Sequence, residues 1–184
     1  QVYVAGGRDD DGIAVLGQVV AREPGRFEAY VDLATSYMHK NQLKKARTAV
    51  DKALSLNNSF APAYETLGLV LWRGDDPRGA VAAFEKCVQL DPRNARALVW
   101  MGMVQTNLDR PEDAMAAFER AAQANPMSVD AWVGIANAAL TVHDIGAATA
   151  ALKNAQRLQP DRPAVKDTAK RLESLRGDPG VRRR

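Results

Sequence analysis

Few side chains in this sequence have the types that carry chemistry. His39 and His143 are the only histidines and Cys87 is the only cysteine. A nucleophile–base pair or a metal site needs such groups brought within bonding reach of one another. The histidines fall at or just past the ends of two different helical patterns far apart in the chain, which favours ordinary polar residues at loop edges. A single cysteine excludes an intrachain disulfide and a cysteine-based metal cluster. Asp9, Asp10 and Asp11 before Gly12 hint at calcium, but the alternating ligands and distal Glu of an EF-hand loop are missing. Three acids suit a helix N-terminus, where the macrodipole favours negative charge. Gly6-Gly7 follows a short apolar run without the third glycine of a dinucleotide fingerprint. No catalytic, cofactor-binding or metal-binding set is expected.

The elements that would position such residues are set by a repeat. Ala46, Ala80, Ala114 and Ala148 lie 34 residues apart. Ala29, Ala63, Ala97 and Ala131 keep the same register, as do Leu33, Leu67, Met101 and Ile135. One residue later come Ala34, Gly68, Gly102 and Ala136. The gap-free segments are 27–60, 61–94, 95–128 and 129–162. A fixed period of this length signals stacked supersecondary units. Cys87 falls where other segments carry Ala53, Ala121 and Ala155, the place of a small buried core residue.

Each segment reads as two amphipathic helices joined by a short turn. In the third, Leu98, Met101, Gly102 and Gln105 share one stripe at three- and four-residue spacing. Pro111 opens the second helix, where its missing N–H costs nothing. Ala114, Phe118 and Ala121 form that helix's inward stripe. Asn125-Pro126 ends it, because the residue before proline is pushed out of the helical region. The second segment repeats the scheme, with Asp76 as the cap before Pro77 and Asp91-Pro92 as the stop. Small residues let paired helices approach. Tyr30, Tyr64, Leu98 and Trp132, with Val50, Phe84, Phe118 and Leu152, fill the spaces between.

This pattern resembles the tetratricopeptide repeat family. The second segment reads Tyr64, Leu67, Gly68, Ala80, Phe84, Cys87, Pro92, and the fourth reads Trp132, Ile135, Ala136, Ala148, Leu152, Ala155, Pro160. The first departs at its end, where Asn58 replaces the proline. The resemblance implies an all-α, right-handed superhelical solenoid of antiparallel helix pairs, with first helices lining a concave face that binds proteins. Relatives that bind acidic chaperone tails use Lys, Asn and Arg there as a carboxylate clamp. The matching positions here are Val31, Thr35, Thr66, Arg96 and Trp100, which do not form one.

The ends of the stack are expected to differ. Residues 1–9 read as an arm, and 10–26 as a half repeat whose Gly12, Leu16 and Val19 continue the second-helix register. Residues 163–176 read as a capping helix. Lys170 there occupies the place of Gly68 and Gly102, so no further helix packs close. Residues 177–184, with three terminal arginines, read as a disordered tail.

Composition narrows the partners. Lys+Arg 25 against Asp+Glu 22 gives a net charge of +3, and the charges are interspersed. That does not call for nucleic acid, and the base-reading pattern of RNA-binding helical repeats is absent. No stretch is long and apolar enough for direct membrane insertion. The usage of Ala and Arg fits a bacterium, with cytoplasm or periplasm as the compartment.

The informative surface is the face of the first helices. In the third, Leu98, Val99, Trp100, Met101, Met103 and Val104 make the helix apolar nearly all round. Such a helix should be covered on every side. The expected partner-binding residues are Leu69, Trp72, Arg73, Arg96, Val99, Trp100, Met103, Val133 and Asn137, with Glu65 and Asp130 completing a polar rim. Exposed apolar surface with Trp and Met at its centre suits a peptide partner. The expected function is a non-enzymatic scaffold or adaptor that binds an apolar or amphipathic segment of another protein in its concave groove. The alternative is self-assembly into a homo-oligomer through groove, arm or repeat ends. A third reading is a module that positions a separate catalytic domain. By analogy, the resemblance suits assembly factors of bacterial envelope machines and magnetosome- or pilus-type scaffolds.

Overall fold

Four left-handed residues, spaced 34 apart, organise the chain reversals. Asn41, Asp75, Asp109 and His143 have φ of 56°, 62°, 56° and 59°. The structure, a computed structural model, describes residues 9–177. Among the described residues there are ten α-helices and no strand. They are α1 (Asp9–Arg22), α2 (Phe27–His39), α3 (Leu43–Leu56), α4 (Ala61–Arg73), α5 (Pro77–Leu90), α6 (Ala95–Asn107), α7 (Pro111–Ala124), α8 (Val129–Thr141), α9 (Ile145–Leu158) and α10 (Pro163–Gly177). This is an all-α helical repeat fold. Asp9 opens α1 rather than closing an arm, and Gly177 closes α10 rather than opening a tail. The remainder of the expected arm and tail lies outside the described residues.

Each left-handed residue closes a first helix with the same pair of bonds. Gln42 N donates to Tyr37 O (2.8 Å) and Asn41 N to Met38 O (3.0 Å). The pair recurs as Asp76 to Leu71 and Asp75 to Trp72, then as Arg110 to Gln105 and Asp109 to Thr106. It recurs last as Asp144 to Ala139 and His143 to Leu140. This is the Schellman arrangement, which satisfies carbonyls left over at a helix end. Glycine usually holds the left-handed place, and Asn and Asp tolerate it through their short polar side chains.

Side-chain caps then start several helices. Asp76 accepts from Gly79 N and Asp144 from Ala147 N, both at 2.8 Å. Asn94 caps α6 through Ala97 N at 2.9 Å, and Ser128 caps α8 through Ala131 N at 3.3 Å. Second helices stop at an extended residue. Asp91 (φ −132°, ψ 87°) and Asn125 (φ −140°, ψ 93°) precede prolines. Asn57 adopts φ −145°, ψ 99° without one. Its turn is held instead by side chains, with Ser59 N donating to Asn57 Oδ1 (3.0 Å) and Tyr64 Oη to Asn58 O (3.1 Å). The later turn has the same bonds, Met127 N to Asn125 Oδ1 and Trp132 Nε1 to Pro126 O.

The chain forms two compact units, Gln1–Pro92 and Arg93–Arg184. In the first, each helix from α1 to α5 packs on the next, and α2 also packs on α4. Leu16 of α1 joins Val31, Leu33, Ala34, Ala49, Val50 and Ala53 in one buried cluster, which ties α1 to α2 and α3. Lys40, following α2, forms an ion pair with Asp10 of α1. In the second unit each helix from α6 to α10 packs on the next, with further contacts of α6 on α8 and α8 on α10.

Close approach in the α4–α5 and α6–α7 pairs depends on glycine facing phenylalanine. A Cβ on Gly68 would sit 2.6 Å from the Phe84 ring, and one on Gly102 would sit 2.7 Å from Phe118. The four repeated second-helix alanines, Ala46, Ala80, Ala114 and Ala148, are buried. Burying a ring such as Phe84, which has no exposed surface, contributes on the order of 1.5–3 kcal/mol.

Candidate functional site

The α6 helix carries a partly open apolar face. Arg96, Val99, Trp100 and Met103 recur at three- and four-residue spacing, so they share a side of the helix. Val99 and Trp100 are half-buried, Arg96 is exposed, and Met103 is 41% exposed. With Ala95, Asn125, Ser128 and Asp130 they line a cleft of about 360 Å³. Apolar lining comes from α6, and polar lining comes from Arg96, from the turn before α8 and from Asp130 at its start. Asn125 and Ser128 were not among the residues expected here. The signal that locates them is the Asn125-Pro126 stop and the Ser128 cap, which bring this turn beside the start of α6.

The α8 face is already engaged. Val133 is buried at 9% exposure. Asn137 Oδ1 accepts from Arg171 Nη1 at 2.6 Å and from Thr168 Oγ1 at 3.3 Å, both from α10. Asp130 pairs with Arg162, just before α10, at 2.6 Å. Thus α10 covers the fourth segment's first helix with donors, and Val165, Thr168 and Leu172 are its buried side chains.

In the first unit, Leu69 and Trp72 of α4 are half-buried. Arg73 Nη1 donates to the Met38 carbonyl at 3.0 Å, which ties the end of α4 to the end of α2. Glu65, expected on a polar rim, is instead buried at 3% exposure, and Thr66 beside it is buried as well. Asp32 on α2 is exposed, yet desolvation by surrounding protein pushes its carboxyl above the ordinary range, while the Arg26 charge pulls it down.

Among the described residues no cluster of three or more His, Cys, Asp or Glu is placed to hold a metal. His39 ends α2, His143 is the left-handed residue after α8, and Cys87 is buried in α5. Among the described residues no helix is long and apolar enough to cross a membrane.

Two family models, each described as tetratricopeptide repeat, match residues 3–68 and 65–128. The chain belongs to the tetratricopeptide repeat family. Among solved structures, this tetratricopeptide repeat chain is similar to YrrB, described as a TPR protein with an unusual peptide-binding site. The identity is 21% over 89% of this chain and 84% of that one, with a TM-score of 0.72. PilF of Pseudomonas aeruginosa is similar at 24% identity, with 88% and 74% covered and a TM-score of 0.74. MamA from Desulfovibrio magneticus RS-1 is similar at 18% identity, with 85% and 89% covered and a TM-score of 0.74. Likeness at this level of identity establishes the shared fold. No curated protein matches the sequence. Tetratricopeptide repeat proteins are in general non-enzymatic scaffolds that bind other proteins or peptides, and the fold supports that general role here.

Proposed function

We propose that this chain is a scaffold whose α6 cleft takes an amphipathic helix from another protein. The observation that carries the reading is Met103, an apolar side chain left 41% exposed beside half-buried Val99 and Trp100 in one cleft. An apolar face of this kind gains by being covered, and Met adapts to varied partners. Each first helix of the second unit already packs against the next one, α6 on α8 and α8 on α10, so a helix is a shape these faces accommodate. YrrB, which shares the fold, is described as having a peptide-binding site. In this reading Trp100 is the anchor, while Arg96 and Asp130 set orientation. In the first unit, Leu69 and Trp72 are contacts of the same class.

The test is molar mass by light scattering over a concentration series, for the wild type and Trp100→Arg. A monomer for both leaves the cleft open to a foreign segment. Pull-down with the two proteins then identifies partners that need Trp100, and Trp100→Ala should weaken such a partner by at least ~2 kcal/mol. A wild-type dimer that Trp100→Arg dissociates would replace this reading with self-assembly.

A further inference from the structure

We propose that Met103 is an oxidation site whose sulfoxide converts the α6 cleft from an apolar surface into a hydrogen-bond-accepting one. The inference rests on the docking reading above. The chain has five methionines. Met38 and Met101 are buried and Met115 is half-buried, whereas Met103 is exposed in the cleft. Met127, 70% exposed, stands in the same turn as the cleft residues Asn125 and Ser128. The two most exposed methionines among the described residues therefore belong to the cleft and the turn beside it. Susceptibility to oxidation follows such exposure, and the product is polar and chiral in place of a flexible apolar side chain.

The 34-residue register gives the change a direction. Met103 corresponds to Asn137 one segment later. There the side-chain oxygen accepts hydrogen bonds from Arg171 and Thr168 of the helix laid across it. The helix that crosses α6 as α10 crosses α8 is α8 itself, and the places of Arg171 and Thr168 are taken there by Asn137 and Gly134. An oxygen on the Met103 sulfur would therefore be an added acceptor in the cleft. The oxidised cleft would then disfavour an apolar helix and favour one that carries donors.

The oxidant is a hydroperoxide such as hydrogen peroxide. The Sδ lone pair attacks one peroxide oxygen, so an S–O bond forms and the O–O bond breaks. The second oxygen takes the proton of the first and leaves as water. Sulfur gives up two electrons and the peroxide accepts them. A dithiol reductant acting through a methionine sulfoxide reductase restores the thioether, releasing water and becoming a disulfide.

The experiment treats the folded protein with hydrogen peroxide, maps each methionine by peptide mass, and measures binding of 1-anilinonaphthalene-8-sulfonate as an apolar probe. Met103 and Met127 should be oxidised ahead of Met38 and Met101. Probe binding by the wild type should weaken about tenfold, the equivalent of about 1.4 kcal/mol. The ratio of probe binding before and after peroxide should stay near one for Met103→Leu, whatever that variant's starting affinity, while Met127→Leu should fall about tenfold as the wild type does. Oxidation of Met103 no sooner than of the buried methionines would overturn the proposal. So would unchanged binding after peroxide in a wild type whose probe binding is lost in Trp100→Ala, an outcome that leaves the docking reading intact. A wild type that does not bind the probe, or a Trp100→Ala variant that binds it unchanged, removes both.

Discussion

The Phe118 ring occupies the space that a side chain on Gly102 would need, with the ring 2.7 Å from the place of a Gly102 Cβ. The other side of the ring is equally confined, because a Cβ on Gly134 would meet it at 2.5 Å. Phe118 is itself buried. A ring held between two helices cannot yield to one of them without striking the other. Gly102→Ala should therefore destabilise the protein by about 1–3 kcal/mol through overpacking, despite alanine's better helix propensity. In α1, Gly17 has nothing within 4 Å of its Cβ position, so Gly17→Ala should instead stabilise by about 0.5–1 kcal/mol. Urea melts of the two variants check the opposite signs. A stabilised Gly102→Ala would show that the α6–α7 contact is loose.

His143 is the least suited of the four left-handed residues, since its predecessors in the register are Asn41, Asp75 and Asp109. Its side chain is exposed, so little packing is lost with it. His143→Gly should stabilise by about 0.5–1 kcal/mol, the relief of a left-handed backbone less the entropy that glycine gives up. His143→Val should destabilise, because a β-branched side chain fits that backbone worst. Thermal denaturation of both variants measures the difference.

Gln105 lies where other segments carry Tyr37, Leu71 and Ala139. It is 8% exposed and its Oε1 has no hydrogen-bond partner. A buried acceptor left unpaired costs about 1–3 kcal/mol. Gln105→Leu keeps most of the volume and removes that acceptor. A gain of about 1 kcal/mol in chemical denaturation is expected. A loss would mean that the amide supports the α6 helix in some other way.

The α10 cover is held partly by polar contacts at its edge. Arg171→Ala removes the charge-assisted bond to Asn137 and should cost about 1 kcal/mol locally. Amide hydrogen exchange should quicken across α10 and leave α6 and α7 unchanged, since α10 packs only on α8 and α9 among the described elements. Uniform quickening through the second unit would show that α10 and the helices beneath it unfold together.

Much of this fold is written locally in the residues. Alanine and glycine at 34-residue spacing, the caps such as Asp76, and the Asn125-Pro126 stop each act within a few residues of themselves. Reading them in order is enough to establish helix pairs and the family. The apolar run of α6, with Val99, Trp100 and Met103, is legible for the same reason. The left-handed residues were also present in the register, as Asn41, Asp75, Asp109 and His143, but only backbone geometry shows what they have in common.

Burial against a neighbouring segment is different, because two positions with the same spacing can meet different surroundings. Glu65 has the sequence signature of a rim residue, yet it is buried in the fold. Asn137 reads as open groove until Arg171, 34 residues later, is seen to reach its oxygen. Gly134 carries no local signal that it faces the same ring as Gly102. The amino-acid sequence by itself determined the repeat, its turns and the apolar character of α6, since these follow from short-range propensity and period. Only the tertiary structure decided which parts of each first helix stay accessible, because that depends on the side chains the next helix lays across it.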